Sequence, residues 1–226
     1  MDTVLLAGWV RTRARRTRFV ELGSAAGAVS LMLALRFPAL RVTGVEIQGD
    51  LVDLALRNRV ENGAEDRVSF VRGDLRDEAL LPRESFDGLV VNPPYEDRGR
   101  GRVSPVAARS IARHGVDPAS GADTCSLDDV ALAALRLLKG RGRLFAVFRA
   151  DRLAAFVGTM LARSLAPIRL RMIHPRRERP ANLFLVECVK DAEGRGRPVG
   201  LTVEPPLVVQ GDDGEYTPDL LRAYEL

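Results

Sequence analysis

The sequence predicts an α/β fold in which a mostly parallel β-sheet is covered by helices on both faces. Three observations predict it. Strand-like and helix-like segments alternate from residue 17 onward. Several strand candidates are apolar in an unbroken run, the mark of a strand buried on both faces. The first four strand candidates also close on a small-residue turn, an acid, a Gly-Asp pair and an Asn-Pro pair. Parallel sheets present their ligand crevice at such carboxyl ends.

Residues 1–10 (MDTVLLAGWV) read as a short apolar helix with an aspartate near its start. TRFVELG (17–23) is a strand ended by a glycine. AAGAVSLMLALRF follows as a helix, with Leu31, Leu35 and Val29 or Met32 on one face and Pro38 as its stop. RVTGVEI (41–47) is the second strand. The helix after it, GDLVDLALRNRVENG, has Leu51, Leu54 and Ala55 at apolar spacing and Gly63 at its end. RVSFVRGD (67–74) is the third strand, and FDGLVVNPPY (86–95) holds a fourth that must stop at its prolines. A helix near 126–138, a strand at 143–149 and a helix over 151–164 resume the rhythm. Strands at 167–174 and 181–189 are joined too closely for a helical crossover and are expected to be antiparallel. The tail offers an extended piece, a DDG turn and a short helix begun by TPD. Residues 96–123 are long, polar and rich in Gly and Arg, and are predicted to be a substrate-side loop. The expectation is one domain, 1–226, with 192–226 as a C-terminal extension.

A net charge of +4 is too small to choose a partner, but its placement is informative. Arg11, Arg13, Arg15, Arg16 and Arg18 form one cluster, Arg98, Arg100 and Arg102 a second, and Arg176, Arg177 and Arg179 a third. Phosphates favour such surfaces. RNA contact is expected at Arg98, Arg100, Arg102, Arg176 and Arg177. The two cysteines, Cys125 and Cys188, form no CxxC pair, so no metal is expected. With neither a signal-like start nor an apolar run of about 18 residues, the expected location is cytoplasmic, away from membranes. His114 and His174 are read as ordinary surface or hinge residues, and Trp9 and Phe19 as core.

The ligand side starts at Glu21-Leu22-Gly23-Ser24-Ala25-Ala26-Gly27, where small residues let a ligand approach the backbone. Its two glycines do not make a dinucleotide fingerprint, so a ligand without phosphates fits better. Glu46, followed by Ile47, ends the second strand where an acid accepts hydrogen bonds from ribose hydroxyls. Asp74, followed by Leu75, ends the third where a carboxylate meets an adenine amino group, with Asp77 as its competitor.

Asn92-Pro93-Pro94-Tyr95 is the strongest signal. A planar amino group is weakly nucleophilic because its lone pair is delocalised. The Asn92 side-chain oxygen accepts one of its N–H groups and the Pro93 carbonyl, held by Pro94, accepts the other. Two converging acceptors orient the nitrogen and favour positive charge growing on it. Tyr95 is placed to stack on a flipped base, worth about 1–3 kcal/mol.

With these residues the chain resembles the Rossmann-like class I methyltransferases of the amino class. DTVLLA (2–7), HPRRERPANLFLVECVKD (174–191) and LTVEPPLVVQGDDGEYTPDLLRAY (201–224) extend the resemblance to the bacterial tRNA adenine-N6 methyltransferases of the small NPPY type. Described members modify the adenosine 3′ of the anticodon in a valine tRNA. The resemblance implies a seven-stranded, mostly parallel sheet with an antiparallel terminal strand. It implies S-adenosylmethionine as cofactor and tRNA or another RNA as substrate, in a monomer or weak dimer. It assigns the cofactor to Glu21, Gly23, Ser24, Ala25, Gly27, Glu46, Ile47, Asp74, Leu75 and Asn92. Asn92, Pro93, Pro94 and Tyr95 take the catalytic positions.

The family turn usually has glycine where this chain has Ala25; a methyl group is tolerated there if the backbone angles are ordinary. NPPY also occurs in enzymes that methylate a glutamine amide in release factors, usually with a helical N-terminal domain ahead of the fold. No such domain is expected here, and that expectation, the arginine clusters and the tail favour RNA. Glutamine methylation, rRNA or DNA adenine methylation, and a catalytically weak RNA-binding or assembly protein are the alternatives.

Overall fold

The computed structural model describes residues 1–12, 17–93, 125–191 and 200–224. The expected loop at 96–123, Pro94, Tyr95, Arg98, Arg100, Arg102, His114 and three arginines of the first cluster lie outside them.

The strands are β1 (Arg18–Leu22), β2 (Arg41–Glu46), β3 (Val68–Arg72), β4 (Phe86–Val91), β5 (Leu138–Arg149), β6 (Leu165–Arg176), β7 (Leu183–Lys190) and β8 (Thr202–Gln210). The helices are α1 (Asp2–Trp9), α2 (Ala28–Arg36), α3 (Gly49–Glu61), α4 (Leu127–Leu137), α5 (Leu153–Ala162) and α6 (Pro218–Tyr224). The sheet order is β3-β2-β1-β4-β5-β7-β6-β8. Strands β1 to β5 run parallel, β7 is antiparallel to both neighbours, and β8 lies parallel to β6.

This corrects the expected count of seven strands. The described residues form eight, the antiparallel strand is internal, and the tail supplies the edge strand. The antiparallel β6–β7 pair is as expected. Pairing between β6 and β8 depends on a partner far away in sequence, which local pattern does not reveal.

The sheet separates two apolar layers. One contains α4 and α5, with Phe148, Phe156 and Phe184 packed at centroid distances of 5.4–6.3 Å. The other contains α1, α2 and α6, with Trp9, Phe19, Phe145 and Leu220 buried. Two helix faces differ from expectation. In α2 the buried residues are Val29, Ser30, Leu33 and Ala34, while Leu35 is 69% exposed. In α3 they are Val52 and Ala55, and Leu54 is exposed. Leucine outnumbers what one stripe can bury, and sheet position rather than side-chain size chose the face.

Candidate active site

The strand register assembles the site. Leu22 of β1 pairs with Val45 of β2 and Val91 of β4. The next residue on each chain is Gly23, Glu46 and Asn92. The glycine turn, the strand-ending acid and the first residue of the proline motif therefore form one row across three adjacent strands, about 5 Å apart per step. Sequence connections diverge from β1 at this point, so the row lies on the topological switch of the sheet.

The turn is held from two sides. Gly23 N and Ser24 N both donate to Val45 O, at 2.9 and 3.0 Å. Gly27 caps α2 with φ +82°, and a Cβ there would come within 2.3 Å of the Phe70 ring. Gly23 has φ +69°, and its missing Cβ would meet nothing within 4 Å. The first glycine thus leaves space above the turn, and the second admits the ring beneath it. Ser24 Oγ is buried without a hydrogen-bond partner among the described residues.

Ala25 is a correction. Its φ is +45°, in the left-handed region, so its backbone angles are not ordinary. A Cβ there costs roughly 1 kcal/mol. The residue is held in place because Ala25 N donates to Glu46 Oε2 at 2.9 Å.

Glu46 is 6% exposed, and its Oε1 accepts from Gln48 N at 3.0 Å. Each carboxylate oxygen spends one lone pair on the protein and keeps another. Ile47, the next residue, is 57% exposed on the same rim. Glu21, one side-chain repeat below the row, serves the turn from within. Its Oε2 accepts from Ser30 N at 2.9 Å and Ser30 Oγ at 2.5 Å, tying β1 to the first turn of α2. Burial pushes its carboxyl up to about 8 despite those bonds. Sequence reasoning missed Ser30, since nothing local marks a serine in that turn as a carboxylate partner.

Asp74 follows β3, and its carboxylate is already engaged. Arg76 donates from Nε to both oxygens at 3.0 Å, from Nη2 to Oδ2 at 2.6 Å, and from its backbone N to Oδ1. The Arg76 hydrogen bonds hold the Asp74 carboxyl below the usual carboxylate range. Asp77 is used locally, accepting from Ala79 N. Both acids are therefore engaged by the protein, Asp74 by Arg76, a neighbour that sequence reasoning overlooked, and Asp77 by a backbone N–H two residues on. Leu75 packs against the core, and its carbonyl accepts from Arg136 Nη2.

Asn92 is partly buried and Pro93 buried at the end of β4. The hairpin between β6 and β7 rises from the same edge of the sheet, carrying Arg176 and Arg177. Among the described residues no cluster of His, Cys, Asp and Glu could hold a metal, and both cysteines are free thiols. Among them, no helix is long and apolar enough to cross a membrane.

Residues 2–115 match the family described as Methyltransferase small domain. The chain belongs to that family. This methyltransferase is 28% identical to the tRNA1(Val) (adenine(37)-N6)-methyltransferase of Porphyromonas gingivalis, over 99% of the chain and 86% of that protein. It is 34% identical to the ribosomal protein uL3 glutamine methyltransferase of Bordetella pertussis, over 40% of the chain and 30% of that protein. Among solved structures, a predicted O-methyltransferase from Agrobacterium tumefaciens superposes with a TM-score of 0.76 at 23% identity, covering 100% of this chain and 96% of that one. That likeness establishes the Rossmann-like class I fold.

Proposed function

We propose that this methyltransferase uses S-adenosylmethionine to methylate N6 of an adenine in cytoplasmic tRNA, near the anticodon. The carrying observation is the row of Gly23, Glu46 and Asn92 on neighbouring strands. It brings the glycine turn and the first residue of the proline motif to the ends of adjacent strands, about 5 Å apart.

The residues fit the cofactor. Open space above Gly23, the partnerless buried Ser24 Oγ and the spare lone pairs of Glu46 suit a compact ligand with ribose hydroxyls. Bound there, S-adenosylmethionine would supply an activated methyl group on a sulfonium. Glu46 would hold the ribose, Asp74 and Leu75 the adenine end, and Ile47 would cover it with an apolar side chain. Asn92 and the Pro93 carbonyl would accept the two N–H groups of the acceptor and orient its nitrogen. This part of catalysis is positioning and electrostatic complementarity. Tyr95 is the proposed stacking partner, and the proton leaves after transfer, to solvent or a nearby oxygen.

The near-complete match to the Porphyromonas enzyme supports tRNA as substrate. The Bordetella glutamine methyltransferase shares only a segment, which supports a common transfer core and leaves a glutamine amide as the second reading. The deciding experiment offers labelled cofactor with unmodified tRNA, rRNA, DNA and release factor in separate reactions. Label in N6-methyladenosine of tRNA is expected. Label on glutamine alone would overturn the RNA reading and keep the two-acceptor geometry.

A further inference from the structure

Among the described residues, the hairpin joining β6 to β7 is an exposed basic element at the end of the sheet that carries Asn92. Residues 176–180 are all exposed. Its geometry is fixed by several bonds. Arg179 N donates to Arg176 O at 3.0 Å, and Asn182 N donates to Ile173 O at 3.0 Å. His174 Nδ1 lies 2.8 Å from Arg179 O, and Arg176 Nε donates to Gln210 Oε1 at 3.4 Å.

Within this fixed turn, the Arg177 and Arg179 side chains meet no carboxylate among the described residues. Elsewhere guanidinium groups are commonly matched: Arg149 with Asp151, Arg163 with Asp128, Arg171 with Asp219. Two unmatched cations on a preordered turn make a ready site for phosphate, because little ordering entropy is lost on binding.

Its position sets the path. β6 stands three strands from β4, about 14 Å at ordinary strand spacing. On the outer side lies the turn after β8, with Asp212, Asp213 and Glu215 exposed. Those acids disfavour a polyanion beyond the sheet edge. A phosphate chain on the hairpin is therefore directed inward, over β7 and β5 toward Asn92.

We propose that the 174–180 hairpin grips the phosphate backbone of the RNA strand that carries the acceptor base, through Arg177 and Arg179, with His174 as a positioning residue. This deepens the tRNA reading and rests on it for the acceptor, but binding can be read without transfer.

The test compares full-length wild type with Arg177→Ala/Arg179→Ala, Arg177→Lys/Arg179→Lys and a distant control pair, Arg57→Ala/Arg83→Ala. Affinity for unmodified tRNA is measured from about 50 to about 200 mM salt, and methyl transfer beside it. Losing two phosphate contacts should flatten the log–log salt slope by about 1.5, so the wild-type advantage shrinks about tenfold over that range. The lysine pair should restore most of the slope, and KM for tRNA should rise while kcat at saturation stays within about twofold. An alanine pair with the affinity and slope of the control pair would overturn the proposal. So would retained RNA affinity with lost transfer to a glutamine-bearing protein, which would assign the hairpin to a protein acceptor. If wild type binds tRNA without methylating it, the acceptor reading fails while the salt slopes still decide the hairpin.

Discussion

The two ends of the sheet both carry arginines, and they use them differently. At the amino ends of β1 to β4 a groove of ≈ 370 Å³ is lined by Arg18, Arg41, Arg67, Glu65, Asp66 and Phe86. Its cations are occupied. Arg41 donates to Asp66 O at 3.0 Å, Arg67 donates to Ala34 O, and the Arg18 guanidinium lies 5.6 Å from the Phe86 centroid. Nearby, Arg36 Nη1 donates to the carbonyls of Ala7, Gly8 and Val10, which close the end of α1. At the carboxyl end Arg76 is paired with Asp74, but the Arg177 and Arg179 guanidinium groups meet no carboxylate among the described residues. A cluster of arginines in a sequence is thus two different things: a set of ties for loose carbonyls, or a surface kept available for a ligand. Arg11 makes the point within the first cluster, since it pairs with Glu204 at 3.2 Å.

The largest expected effect is at the carboxyl end. Asn92→Ala should lower kcat about 100-fold or more, the scale for loss of one oriented polar group at a reacting atom. Cofactor affinity measured by calorimetry should stay within about threefold. A variant with near-normal turnover would remove Asn92 from the mechanism.

The comparison itself predicts the next effect. Arg36→Ala strips three carbonyls of their donor and should cost about 2 kcal/mol in denaturant unfolding. Arg177→Ala should change stability by about 0.5 kcal/mol or less. Equal losses would mean the two ends are not functionally distinct.

Glu21 gives a pH signature. Its buried carboxyl stands at about 8 against an ordinary 4.5, so the folded state keeps a proton that the unfolded state releases between those values. Its contribution is most favourable below about pH 4.5, declines as pH rises, and levels off above about 8. Glu21→Gln should therefore gain stability relative to wild type across that window. A difference that does not vary with pH would show the carboxyl to be ionised throughout.

The smallest effect is at Ala25. Ala25→Gly relieves the left-handed Cβ but frees the unfolded chain, two terms of about 1 kcal/mol or less in opposition. Stability should move by about 0.5 kcal/mol or less, with cofactor affinity undiminished. Weaker cofactor binding would show the Ala25 methyl to be a ligand contact.

Sequence by itself determined the order of elements through β7, the glycine turn, and the acids and Asn92 at successive strand ends. It could do so because strand periodicity, proline stops and turn chemistry are local. Arg76 on Asp74, Ser30 beneath Glu21 and Phe70 beneath Gly27 were decided by the tertiary structure. So were the eighth strand beside β6 and the choice of Val52 over Leu54 for the core. Each depends on what lies opposite after the sheet has closed, where register and packing between distant segments select the partner. The same reason separates the arginines. Charge is written in the sequence, but whether a carbonyl or open solvent stands in front of it is settled only when the chain is folded.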